Sequence, residues 1–312
     1  MADDERKQPW VEVSLLVEDE LAETVAEVLT RYLSRGVVIE RPAEEESGGD
    51  RGRDEVQVTG YLAQDAQFEE RKKKIREALY YLGRIRPLPE PEFSEIESED
   101  WSTAWQERYR PLQLGGRLMI VPTWLENPQP DLVPLYLDPG MAFGSGTHPS
   151  TQLALELILE VLELETPEAV LDIGCGSGIL AIAAVKLGAG RAVGVDVDPE
   201  SVRIARANAA ANGVGEQTAF QIGSVPEIRA GQFALRKAPL VAANLIAPLL
   251  HQLLEEGLTE LVAPGGHLVL SGLLEDQVGP IIRKLRESQV EVLDRKQQAD
   301  WVGLLCGSPM DG

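Results

Sequence analysis

Cysteine is scarce in this chain: Cys175 and Cys306 are the only two in 312 residues. They have no CxxC spacing and no ligand cluster around them, which argues against a disulfide framework and a structural zinc site. Positive charge is short as well. Lys and Arg number 29 against 51 Asp and Glu, a net charge of −22. Such a field opposes a general grip on nucleic acid, because phosphate binding needs a positive surface. It fits a basic partner, and an acidic proteome background fits equally. No apolar run reaches membrane-spanning length. The first residues, MADDERKQPW, carry charge and no apolar core, so they do not read as a signal peptide. The expected location is the cytoplasm, with no membrane partner.

The first ninety residues hold short elements. Trp10–Val17 partly alternates, as a half-buried strand does. Leu21, Val25, Val28, Leu29 and Tyr32 share a helix face, with Asp19 as a candidate cap. Val37–Glu40 and Val56–Leu62 read as strands around a polar loop, Glu44–Arg53. Phe68–Leu82 reads as a second helix with Ile75, Leu79 and Leu82 inward. A last strand falls at Ile85 or around Phe93–Glu97. The order β-α-β-β-α-β points to a small ferredoxin-like α+β domain over 1–90. Such a domain fits substrate recognition, and it fits a stabilising or dimerising role. The basic run Arg71–Lys74 sits among Glu69, Glu70 and Glu77 and reads as a solvated face. Pro87–Pro91 opens an expected linker, 91–125, in which Trp101, Trp105 and Tyr109 would share one helix face.

The stretch Val170–Gly178, VLDIGCGSG, is a short apolar run, then glycines at alternate positions, then the apolar helix-like Ile179–Leu187. Strand, tight turn and helix in that order build the first unit of a nucleotide-binding parallel sheet. Alone, the glycines are a weak signal. Asp196 strengthens it, closing a second apolar strand, since a carboxylate there can accept both hydroxyls of a ribose. Further strands fall at Ala219–Ile222, Leu240–Ala243 and Leu268–Leu270, the last after the turn Pro264-Gly265-Gly266. A Walker loop is excluded, because no GKS or GKT follows. The GxGxG spacing differs from the dinucleotide GxGxxG and leans towards a nucleoside cofactor without phosphate. Asp172, two residues before the first glycine, would then face a positively charged amino acid tail.

Just upstream, Leu137–Thr151 reads LDPGMAFGSGTHPST, rich in glycine and hydroxyls and without helix or strand period. It reads as a wall of the cofactor pocket or as a structural turn between domains. A helix is expected to start near His148 or Pro149, with Thr147 as a candidate cap. His148 has no Asp or Cys cluster beside it, so no metal role is expected and no metal site is assigned.

LDPGMAFGSGTHPST, VLDIGCGSGIL, GVDVDPESV with the later NA.AN, VAANLIAPL and LVLSGLLEDQ together resemble the bacterial ribosomal protein L11 methyltransferase family. That family belongs to the class I S-adenosylmethionine-dependent methyltransferases. The resemblance implies an α/β fold: a Rossmann-like seven-stranded class I sheet over 126–312, with the smaller ferredoxin-like domain ahead of it. It implies S-adenosyl-L-methionine as cofactor and ribosomal protein L11 as partner; the acidic net charge, for its part, leads to no expectation of direct stable nucleic-acid binding.

By the same resemblance, Gly174, Gly176 and Gly178 wrap the methionine part of the cofactor. Asp172 holds its amino end, Asp196 binds the ribose, and Ser224 lies near the adenine. Phe143 and Thr147 close over it, with Gly144, itself among the cofactor-site residues, and Gly146 letting that loop bend. Asn244 lines the cofactor site and is the expected catalytic residue, orienting the target nitrogen. The implied reaction is transfer of methyl groups to lysine side-chain and N-terminal amines. Alternatives are methylation of another protein or a silent scaffold on the same fold. Ser145 stands where threonine is common in the family, and Ala243-Asn244-Leu245 lacks the Asn-Pro-Pro-aromatic run of broader amino methyltransferases. Cys175 and Cys306 read as small packed residues.

Overall fold

The computed structural model describes residues 10–30, 32–33, 35–40, 55–84, 86–96, 110–137 and 146–308. They form two compact units, one up to residue 96 and one from residue 110. Residues 1–8, the loop Glu44–Arg53, the row Trp101, Trp105 and Tyr109, and the site residues Phe143 and Gly144 lie outside the described residues.

The first unit runs β1 (Trp10–Glu18), α1 (Asp19–Thr30), β2 (Arg35–Glu40), β3 (Glu55–Ala63), α2 (Phe68–Gly83) and β4 (Glu92–Ile96). Its sheet has the order β2-β3-β1-β4, every pair antiparallel. That is the ferredoxin-like arrangement. Alternation along β1 sends Val13, Leu15 and Val17 into a core with Val25 and Leu29 of α1 and Ile75 and Leu79 of α2. β4 fills the second edge of β1, so Pro87–Pro91 joins α2 to β4 inside this unit. α1 begins at Asp19 itself, two residues before the expected start.

The second unit opens with β5 (Leu112–Leu114), β6 (Leu118–Pro122) and β7 (Val133–Leu137), a three-stranded sheet in which β6 and β7 are parallel. The segment 91–125, expected as a linker, thus gives one strand to the first unit and two to the second. α3 (Pro149–Leu164) leads into the main alternation: β8 (Val170–Ile173), α4 (Ile179–Lys186), β9 (Ala192–Asp196), α5 (Pro199–Ala211) and β10 (Thr218–Ile222). After it come α6 (Val225–Arg229), β11 (Ala238–Asn244), α7 (Ala247–Glu255), β12 (Val262–Leu274), α8 (Val278–Glu287), β13 (Glu291–Gln298) and β14 (Trp301–Gly307).

These strands form one seven-stranded sheet in the order β10-β9-β8-β11-β12-β14-β13. The first five are parallel, and β14 runs antiparallel between β12 and β13. Both faces are covered, which is why β8 and β11 read as nearly continuous apolar runs. Leu240 and Ala242 face a layer with α3, α4 and α5. Val241 and Ala243 face the layer of α6, α7 and α8. The expected turn at Pro264-Gly265-Gly266 lies within β12 as an irregularity: the register passes from Ala238↔Val262 to Leu240↔His267.

Candidate active site

The strand order reverses between β8 and β11. In open α/β sheets a ligand crevice forms at such a point, beyond the carboxyl ends of the strands. Asp172, the glycine turn, Asp196, Ser224 and Asn244 all stand on or just beyond those ends. Asp172 pairs in register with Ala242, so Asn244, two residues on, shares its face of the sheet.

Asp172 is 1% exposed. Its Oδ2 accepts the N–H of Ala181 at 3.1 Å, a first-turn donor of α4 that has no partner within the helix. Burial pushes its carboxyl up to about 7; the Ala181 N–H pulls the other way and the Asp196 charge adds to the rise. The turn that follows needs its glycines for two reasons. Gly174 and Gly178 take φ of 70° and 78°, the left-handed region. A Cβ on Gly174 would stand 2.7 Å from Leu245 Cδ2, and one on Gly178 would stand 2.9 Å from Phe220 Cζ. Within the turn, burial, with the charges of Asp172 and Asp196, holds the Cys175 thiol well above its ordinary value. Burial alone pushes Cys306 up to about 12. Both cysteines are therefore protonated packing residues, as expected.

Asp196 closes β9. Its Oδ2 accepts the N–H of Gly176 and its Oδ1 the N–H of Asp198, both at 2.9 Å. Each oxygen keeps one lone-pair site for a further donor. Asp198 in turn caps α5, accepting the Glu200 N–H at 3.0 Å. Beside the acid, two apolar side chains stay in solvent: Val197 is 74% exposed and Ile222, at the end of β10, is 56% exposed. Neither carries a signal in the sequence, since Ile222 reads as the tail of a strand and Val197 lies just past one. Ser224 opens the short α6, its N–H donating to Glu227 Oε2 at 2.9 Å. That helix was not expected either, being too brief to show a period.

Asn244 closes β11. Its Nδ2 donates to Thr151 Oγ1 at 3.2 Å, while its Oδ1 is buried without a hydrogen-bond partner. Thr151 is itself buried in the first turn of α3. The helix cap differs from expectation. His148, not Thr147, is the N-cap: its Nδ1 accepts the Ser150 N–H at 3.1 Å, and its ring meets Trp301 edge-on at 4.6 Å. The packed ring holds the nitrogen where a hydroxyl would otherwise serve. The Thr147 carbonyl accepts from Gln152 Nε2 at 2.7 Å. Gly146 lies against Ile120 of β6 and Ile179 at the start of α4, which brings the end of the upstream loop towards the glycine turn. Among the described residues, no cluster of His, Cys, Asp or Glu is arranged to hold a metal.

The family described as ribosomal protein L11 methyltransferase (PrmA) matches residues 9–308 of this sequence. The chain belongs to this family. A ribosomal protein L11 methyltransferase from Chloroflexus aurantiacus is 37% identical over 328 residues, covering 96% of this chain and 98% of that protein. Its counterpart from Pelobacter propionicus is 38% identical over 311 residues, covering 95% and 96%. Among solved structures, a ribosomal protein L11 methylase from Lactobacillus delbrueckii subsp. bulgaricus matches with a TM-score of 0.57. It is 33% identical and covers 64% of this chain and all of that one. As a member of the L11 methyltransferase family, this chain is an S-adenosylmethionine-dependent enzyme acting on protein, and its sheet is that of the class I methyltransferases.

Proposed function

We propose that this enzyme moves methyl groups from S-adenosyl-L-methionine to lysine side-chain and N-terminal amines of ribosomal protein L11, in the cytoplasm and without stable binding to nucleic acid. The observation that carries the proposal is the orphaned Oδ1 of Asn244, a buried acceptor at the sheet's switch point. Buried acceptors are nearly always paired, so one left open at a crevice fits an N–H that arrives with a ligand.

The residues present fit the cofactor group by group. A buried carboxylate at Asp172 suits an ammonium, which would relieve the desolvation that now raises its pKa. Gly174, Gly176 and Gly178 leave the backbone bare beside the methionine part. The spare lone pairs of Asp196 suit the two ribose hydroxyls. Val197 and Ile222 offer apolar surface to a base, with Ser224 beside them. By the family resemblance, Phe143, Gly144 and Thr147 complete the enclosure.

When bound, S-adenosylmethionine supplies a methyl group on a positively charged sulfur, open to a nitrogen lone pair. The chain's own part is alignment and selection of the amine's neutral form. Asn244 Oδ1 accepts an N–H of the incoming amine and leaves its lone pair free to point away from the carboxamide. An N-terminal amine, with an ordinary pKa near 8, is often neutral; a lysine, near 10.4, must shed its proton on entering. A desolvated pocket favours that loss by disfavouring charge.

The test is transfer of labelled methyl groups to L11 in a hypomethylated ribosome preparation. Asn244→Ala is expected to lower kcat about 100-fold, the scale of a lost polar contact in the transition state, and to leave cofactor affinity unchanged. Absence of label in L11 with the unaltered enzyme, above that seen with Asp196→Ala, overturns the proposal.

A further inference from the structure

The two asparagines of the NA.AN stretch, Asn208 and Asn212, have no part in the reaction as described, and both are engaged across elements. Asn208 is 6% exposed, and its Nδ2 donates to the carbonyl of Ser177 at 2.9 Å. Ser177 lies inside the glycine turn, where the next N–H, that of Gly178, donates to the Cys175 carbonyl at 2.7 Å. Fixing the Ser177 carbonyl therefore fixes the plane of the peptide that closes the turn. One helical turn later, Asn212 does for β7 what a neighbouring strand would do. Its Oδ1 accepts the Tyr136 N–H at 2.8 Å and its Nδ2 donates to the Tyr136 carbonyl at 2.6 Å. Lys186 Nζ, from the end of α4, also donates to that Oδ1 at 3.3 Å. Residues four apart share one face of α5, so a single helix face holds both the glycine turn and the free edge of β7.

We propose that Asn208 and Asn212 are positioning residues of the cofactor site, holding the glycine turn in its binding shape and tying it to β7 through α5. This rests on the reading of the glycine turn as the cofactor's seat, and the experiment separates the two. Amide hydrogen exchange without cofactor, and calorimetric titration with S-adenosylmethionine, are measured for the full-length enzyme and for Asn208→Ala, Asn208→Asp and Asn212→Ala.

Asn208→Ala is expected to speed exchange at Gly178 and to weaken cofactor binding about 10-fold, the scale of one hydrogen bond. KM for the cofactor should rise while kcat at saturation stays within about twofold, because the acceptor's contacts are untouched. Asn212→Ala is expected to speed exchange at Tyr136 and, through the shared face, at Gly178. Asn208→Asp keeps the shape without the donor. Its affinity relative to the unaltered enzyme at the same pH should recover as acid restores an O–H. Unchanged exchange at Gly178 in Asn208→Ala, or an Asn212→Ala effect confined to β7, overturns the inference. If the unaltered enzyme binds no cofactor, the reading of the site fails, and the exchange data still judge the bracing.

Discussion

The backbone N–H of Gly176 donates to Asp196 Oδ2 at 2.9 Å. The turn after β8 and the acid at the end of β9 are thus one unit, and the carboxylate's rotamer is set before any ribose arrives. Such preorganisation spares the ordering cost of binding. Asp196→Ala removes two acceptor sites and this brace together. Hydrogen bonds to charged groups are worth about 1.5–3 kcal/mol each. Cofactor affinity should fall at least about 100-fold by calorimetry; a loss under about threefold contradicts the assignment.

With Asp172 in its proposed place beside the cofactor's ammonium, cofactor binding is expected to depend on pH. Its carboxyl is pushed up to about 7 by burial, and a bound ammonium favours the charged form. Binding therefore releases a proton where the free enzyme holds one. Affinity should rise as pH increases from about 6 to 8 and then level off. Asp172→Asn should bind weakly and show a flat profile over that range. Titrations in two buffers of different ionisation enthalpy would reveal the proton.

The same group costs stability. Its folded-state pKa lies above the unfolded value of about 3.9, so between about pH 4 and 7 the folded state holds the extra proton. Stability contributed by this residue is full below about pH 4 and is lost as pH rises to 7. Asp172→Asn should therefore stabilise the free enzyme more at pH 8 than at pH 5. The ceiling on that difference is about 3 kcal/mol, since about two pH units separate pH 5 from the folded-state value near 7 and each is worth about 1.36 kcal/mol. Urea midpoints at the two pH values measure it.

Gly178→Ala meets both a left-handed backbone and the Phe220 ring. A loss of about 1–3 kcal/mol is expected. Phe220→Leu carries a cavity cost of its own, so the steric part is read as the coupling between the two changes in a double-mutant cycle followed by denaturant titration.

Thr151→Val removes the oxygen that receives Asn244 Nδ2 while keeping volume. The carboxamide then loses the bond that fixes which end faces the acceptor. A fall of about 10-fold in kcat is expected, the scale of one hydrogen bond, with cofactor affinity within about twofold. An equal change in both parameters would instead mean that the pocket had shifted.

The sheet was legible, and so was the position of the candidate site residues at its strand ends. Asp172, Asp196 and Asn244 each follow an apolar run, and alternating glycines mark the turn. Asp198-Pro199 marks the start of α5 by a local rule, an acidic cap followed by proline at the first helical position. What stayed hidden depends on distant partners. His148 caps α3 with its ring packed on Trp301, near the far end of the sequence. Asn208 and Asn212 resemble an ordinary helix terminus until β7 and the glycine turn arrive beside them. The exposure of Val197 and Ile222 has no signature in the sequence, since an apolar residue at or just past a strand end carries no periodic signal. β4 was legible only as one of two placements, because the open edge of β1 decides it.

β14 is made after β13 yet lies between it and β12. A growing chain that stops short of Trp301 leaves β12 with a bare edge and β13 with nothing to join. Closure of this sheet therefore awaits the arrival of Trp301–Gly307, and the Trp301 ring that packs on His148 comes with it. Chains that stop short of Trp301 therefore expose an unpaired strand to association with one another.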